Sequence, residues 1–186
     1  MADKNKLEQA ARLILEAIGE DPNREGLLET PRRFAEMMEE QMAYTTVSNE
    51  EIARQFGKTF TSSEEGPVVV KDISIFSHCE HHLALMYHMH VSVGYIPHGR
   101  VIGLSKVARI ADAVSRRLQI QERIGADIRN IIEKVTGSSD VIIRIDGEHS
   151  CMTARGIKKP GAVTTTISSS GKFNTPEYRQ LFKDML

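Results

Sequence analysis

Tryptophan is missing from this 186-residue chain, aromatic residues make up 5% of it, and there are two cysteines. So few aromatic faces argue against a surface that stacks nucleic-acid bases. Two cysteines allow one disulfide at most, and in a reducing compartment thiolate chemistry or metal binding is the better use of them. Neither sign of charge prevails. With 24 basic and 25 acidic residues the formal net charge is -1, which gives no polyelectrolyte attraction to nucleic acid or to an anionic membrane. No apolar run approaches a transmembrane span. The opening MADKNKLEQAARLILEAIGE has acids and an amphipathic period where a signal peptide has an apolar core. The expectation is a cytoplasmic protein with no nucleic-acid or membrane partner. Also missing are a G-x-x-x-x-G-K-[ST] loop and a G-x-G-x-x-G after a strand, so a bound nucleotide would need another device.

The length suits one well-buried domain with a small appendage. Leu7, Ala10, Ala11, Leu13, Ile14 and Ile18 recur at helical spacing, with Gly19 as the stop. Thr30 before Pro31 reads as an N-cap followed by proline at the first helical position. Phe34, Met37, Met38 and Met42 form that helix's apolar face, for which core packing is the ordinary use. A short helix over Asn49–Phe56 is also compatible with the pattern. Small polar residues at 61–66 mark a boundary between an N-terminal helical region, 1–62, and a main domain, 63–186. There, VVVKDISIFS, MHVSVGYIP, DVIIRIDGEHS and AVTTTISSS read as strands. Ser105 opens a long helical stretch, with a second helix running to about Val135, and 175–186 closes as a helix. Strand–strand–helix–helix–strand–strand is an α+β pattern with antiparallel pairs.

Five of the seven histidines and one cysteine crowd into SHCEHHLALMYHMH at 77–90. Cys79 and His82 form a C-x-x-H pair, able to close on one ion from a tight turn, although a packed cysteine and histidine look the same in sequence. Cys151, in GEHSC beside His149, is the second thiol. Cys79, His82 and Cys151 would give zinc three protein ligands and leave a fourth position for water, the pattern of a catalytic site. His81 and His149 flank these ligands and are acid–base candidates. Glu80 suits a supporting carboxylate. His88, His90 and His98 fall on or after a polar-alternating strand and are expected at the surface.

For phosphates, GLSKVARI places Ser105 at a helix start with Lys106 and Arg109 on one face of its first turn, and Arg155 in TARGIKK adds a third cation. A solvated basic helix end would look the same. In RRLQIQER, Glu122 beside Gln121 either pairs with a neighbouring arginine or accepts both N–H groups of a guanine edge.

Together, CEHH at 79–82, YIPHGRVIGLSKVARI at 95–110, RRLQIQER at 116–123 and HSCMTARG at 149–156 resemble GTP cyclohydrolase I, the zinc-dependent type that makes 7,8-dihydroneopterin triphosphate and formate. TPRR at 30–33 fits that family's helical N-terminal part. The resemblance implies a tunnelling fold: an antiparallel four-stranded sheet with two helices on one face, preceded by N-terminal helices. It also implies a homodecamer of two facing pentamers with active sites between subunits, and GTP as substrate. By the same resemblance Cys79, His82 and Cys151 are the zinc ligands, His81 and His149 the acid–base histidines, and Ser105 a residue near the ribose. Lys106, Arg109 and Arg155 hold the triphosphate, and Glu122, with Gln121 beside it, anchors the guanine. Two other functions use the same features: a zinc-stabilised scaffold without turnover, and a same-fold enzyme acting on another pterin, a deazapurine or a modified purine nucleotide. One segment departs from the family. Between CEHH and YIP the family carries a tight turn with glycine, whereas LALMYHMH has none and is one residue longer.

Overall fold

The computed structural model describes residues 2–186. The chain divides into two compact units, Met1–Thr46 and Val47–Leu186. The compositional boundary at 62 lies further along, after the first short strand of the second unit.

In the first unit, α1 (Lys4–Ala17) begins where the Asp3 carboxylate accepts from the Lys6 amide at 3.1 Å. It ends just before Gly19, whose φ of 86° suits glycine. α2 (Thr30–Gln41) starts one residue earlier than its Thr-Pro signal suggests. Glu29 is the N-cap, without a side-chain capping bond, and Thr30 is already helical. Pro31 still sits in the first turn, where its missing N–H leaves no bond unmade. Ala11 and Ala35 are buried, whereas Leu13, Ile14 and Ile18 are more than half exposed and Met37 is 41% exposed.

The second unit opens with α3 (Asn49–Phe56), closed by a capping box in which Ser48 and Glu51 satisfy each other's backbone amides. Two short strands, β1 (Thr59–Thr61) and β4 (Arg100–Ile102), form an antiparallel ribbon of their own. The main strands are β2 (Val68–Cys79), β3 (Ala84–Tyr95), β6 (Val141–His149) and β7 (Thr164–Ser169). They pair antiparallel in that order, as expected. β5 (Leu118–Gln119) adds a parallel edge pair to His78 and Cys79, giving the order β5-β2-β3-β6-β7. Strands of two or three residues carry no alternation to read, so β5 and the β1–β4 ribbon were not foreseen from the sequence.

The helices expected on one face are α4 (Leu104–Ser115) and α5 (Gln121–Thr136). Val91, Val93, Ile143 and Ile145 are fully buried, alternating along β3 and β6 with Ser92 and Arg144 that point the other way. Val107, Ile110, Ile124 and Ile128 of α4 and α5 are equally buried. Gly125 of α5 comes so near the sheet that a Cβ there would lie 3.4 Å from Ser168 and 3.8 Å from Ile145. α7 (Pro176–Met185) takes the opposite face. Its Phe182 packs with Ile96, Ile142 and Phe173, and a Cβ on Gly94 would meet Ile142 and Phe182 at 2.9 Å. The remaining helix, α6 (Ser150–Thr153), is one turn long and follows β6 directly. Among the described residues, no helix is long and apolar enough to cross a membrane.

Candidate metal centre

The β2–β3 hairpin builds half of the site. Cys79 ends β2 and is buried at 6% exposure. The chain then turns, the His82 amide bonding back to the Cys79 carbonyl at 3.3 Å and the Glu80 amide to the Gln119 carbonyl of β5 at 3.0 Å. Leu83 closes the turn at φ 52°, a left-handed conformation that glycine would adopt more easily. The Glu80 carboxylate receives both guanidinium nitrogens of Arg123, at 2.7 and 3.0 Å, which ties the turn to α5. Glu80 thus supports the loop.

The other half comes from the end of β6. Residues 148 and 149 alternate across the sheet and are held from opposite sides. His149 Nε2 lies 2.8 Å from Gln121 Oε1. Glu148 meets His88 Nδ1 at 3.0 Å and the Tyr87 hydroxyl at 3.4 Å. Cys151 follows in α6. The donor atoms of Cys79, His82 and Cys151 all lie within 4.8 Å of one another. Two thiols and an imidazole converging this closely are the donor set of a single soft cation such as zinc, which small side-chain adjustments would bring to bonds of about 2.0–2.3 Å. Burial raises the Cys151 thiol pKa, and the neighbouring Cys79 thiol raises it further. Two thiols thus share a pocket where a divalent cation would favour their deprotonation.

Around this cluster, His81 is exposed with its Nδ1 3.5 Å from Cys79 Sγ. Arg155 reaches it too, Nη1 lying 3.2 Å from His82 Nε2. Since a guanidinium only donates, His82 Nε2 is the acceptor there. Burial pushes the His149 pKa below its usual value, against the upward pull of the Glu122 carboxylate. Glu122 is exposed, and the arginines around it are engaged elsewhere: Arg116 with Asp112, Arg117 with Asp127 and Arg123 with Glu80. Gln121 is buried at 1% exposure, its Nε2 donating to the carbonyls of Ile145 and Thr164 at 3.0 and 2.9 Å.

Ser105, Lys106 and Arg109 stand in the first turns of α4, whose N-cap is Gly103. Among the described residues, no hydrogen bond or ion pair joins their side chains to the cysteine–histidine cluster. His88, His90 and His98 are exposed as expected, His98 pairing with Asp140 at 3.3 Å. His78 is buried at 7% exposure, its Nδ1 has no partner among the described residues, and desolvation lowers its pKa. Sequence reasoning missed Tyr87, Ser150 and Thr153, which bond around α6. Their partners lie 65 and 66 positions apart in the chain, so nothing local in the sequence signalled them.

Residues 7–186 match the family model described as GTP cyclohydrolase I. A GTP cyclohydrolase 1 of Clostridium acetobutylicum is 58% identical over 180 residues, covering 94% of this chain and 92% of the relative. One from Clostridium beijerinckii is 58% identical, covering 93% and 91% respectively. Among solved structures, the apo form of the archaeosine synthase QueF-Like is similar with a TM-score of 0.46 and 17% identity, over 59% of this chain and 96% of that one. A match over nearly its whole length, on a chain whose β2–β3 turn and β6–α6 end bring Cys79, His82 and Cys151 together, leaves one conclusion: the chain belongs to the GTP cyclohydrolase I family.

Proposed function

We propose that this protein converts GTP and water to 7,8-dihydroneopterin triphosphate and formate, with one zinc ion held by Cys79, His82 and Cys151. The observation that carries this reading is the convergence of those three donors within 4.8 Å, in a chain of this family. Three protein ligands leave a coordination position open, which suits a catalytic ion rather than a closed structural one. When bound, zinc supplies Lewis-acid activation of water at the guanine C8.

The chain's own residues do the rest. Glu122, free of ion pairing among the described residues, accepts the two N–H groups of the guanine's amidine edge and fixes the base. His149 gives a proton to the imidazole ring of the guanine as it opens to a formamide. The Gln121 contact holds the His149 ring plane. His81 assists the second hydrolysis, which breaks the formamide C–N bond and releases formate. Lys106, Arg109 and Arg155 hold the triphosphate, so that intermediates stay bound while the ribose opens, rearranges near Ser105 and closes onto the freed amine. Two waters enter in the hydrolyses and one leaves in the ring closure.

The assembly in this reading is a homodecamer of two pentamers with active sites between subunits. It is supported by the exposed apolar residues Leu13, Ile14 and Ile18 of α1. It is also supported by the position of Ser105, Lys106 and Arg109, which a neighbouring copy's cluster would complement. The test is incubation of the purified, zinc-supplied protein with GTP, measuring formate and the fluorescent oxidised pterin together. Equal amounts of both are expected. Formate alone would point to an enzyme that stops after ring opening, and neither product from a zinc-loaded protein would point to a scaffold.

A further inference from the structure

We infer that Tyr87 is a positioning residue for the metal ligand Cys151, aimed by a β-bulge in β3. The inference rests on the reading of Cys151 as a ligand.

The β3–β6 ladder pairs Met86 with His149 and Tyr87 with Glu148, then resumes with His90 opposite Asp146. Two β3 residues, His88 and Met89, therefore oppose the single β6 residue Gly147, which is a β-bulge. His88 takes the strain of it at φ 47°, and the buried Met89 fills the space over Gly147, where a Cβ would lie 2.9 Å from its Cγ. Because side chains alternate along a strand, one extra residue reverses which side chains face which way beyond it. The bulge is what puts Tyr87 on the same face as Glu148.

From there the Tyr87 hydroxyl reaches Thr153 Oγ1 at 2.9 Å. Thr153 is the last residue of α6, the single helical turn that carries Cys151. At the other end of that turn, the Ser150 hydroxyl donates to the Leu85 carbonyl at 2.6 Å. Leu85 and Tyr87 lie two apart on β3. α6 is thereby tied to one strand at both ends, with Cys151 between the ties. A helix of four residues has almost no stability of its own. Backbone bonds from the Ala154 amide to the Ser150 carbonyl and from the Lys159 amide to the Met152 carbonyl, both at 2.9 Å, close and brace the turn, and the two side-chain ties fix it to β3. His88 completes the arrangement by holding the second oxygen of Glu148.

Such outer contacts typically change metal affinity by about tenfold to a hundredfold. The experiment uses the full oligomeric protein and measures zinc affinity by competition with a chromophoric chelator, together with the cobalt-substituted absorption spectrum. Tyr87→Phe, which removes only the hydroxyl, should weaken zinc binding about tenfold and shift the cobalt bands, with KM for GTP unchanged. Thr153→Val should do the same, while Thr153→Ser, which keeps the hydroxyl, should bind as the wild type does. Wild-type affinity and spectrum in both Tyr87→Phe and Thr153→Val would overturn the inference alone. A wild-type protein that takes up no metal would overturn the ligand reading and this inference with it.

Discussion

Gln121 Oε1 accepts from His149 Nε2 at 2.8 Å, and the orientation of that amide is fixed from the other side. Its Nε2 donates to the carbonyls of Ile145 and Thr164, so the oxygen can only face the histidine. His149 therefore presents an N–H to Gln121 and, when neutral, keeps its Nδ1 lone pair for proton exchange. Gln121→Leu removes the acceptor and the amide donor that the buried Ile145 carbonyl and the half-buried Thr164 carbonyl share, a loss of about 1–3 kcal/mol at the buried one. The expected outcome is a kcat lowered by at least about tenfold and a lower unfolding midpoint. Pterin fluorescence and chemical denaturation measure these separately.

Gly147 is needed for space rather than for its backbone conformation. An added Cβ would lie 2.9 Å from Met89 Cγ and 3.3 Å from Gln121 Oε1, so Gly147→Ala presses on the bulge and on the histidine's partner at once. Destabilisation of about 1–3 kcal/mol is expected, read as a lower denaturation midpoint at unchanged slope, together with reduced kcat.

Lys106 and Arg109 have no carboxylate partner among the described residues, so removing either charge costs the fold little. Arg109→Ala should raise KM for GTP about tenfold through loss of a charge-assisted phosphate contact, with a smaller effect on zinc content. Steady-state kinetics beside metal analysis would show it. An unchanged KM would return these residues to the role of a solvated helix end.

The capping box of α3 gives a pH dependence with a definite sign. The Ser48 backbone amide and then its hydroxyl hold the Glu51 carboxyl below its ordinary value of 4.5. The folded state therefore binds fewer protons there than the unfolded state. The stabilisation is complete above the ordinary carboxylate value and is lost as pH falls through the lowered one. The stability difference between wild type and Glu51→Gln should be constant above about pH 5 and should shrink below it, as followed by urea denaturation across pH.

The strands were legible because β-branched residues alternate in VVVKDISIFS and DVIIRIDGEHS, and one face of each had to be buried. The two halves of the metal cluster were legible as a C-x-x-H turn and a second cysteine beside a histidine. What escaped depended on register between distant segments. The β3 bulge is visible only when β6 lies beside it, and Tyr87 finds Thr153 across 66 positions. β5 is two residues long and exists because β2 offers it an edge. At Thr30 the capping signal was present, but the helix began on that residue rather than after it.

The most direct measurement compares zinc content and formate release from GTP in wild type and Cys151→Ala, with folding checked by circular dichroism. The wild type should hold about one zinc per chain and release formate. Cys151→Ala should stay folded and lose both the metal and the activity. Full formate release by folded Cys151→Ala would contradict the zinc centre.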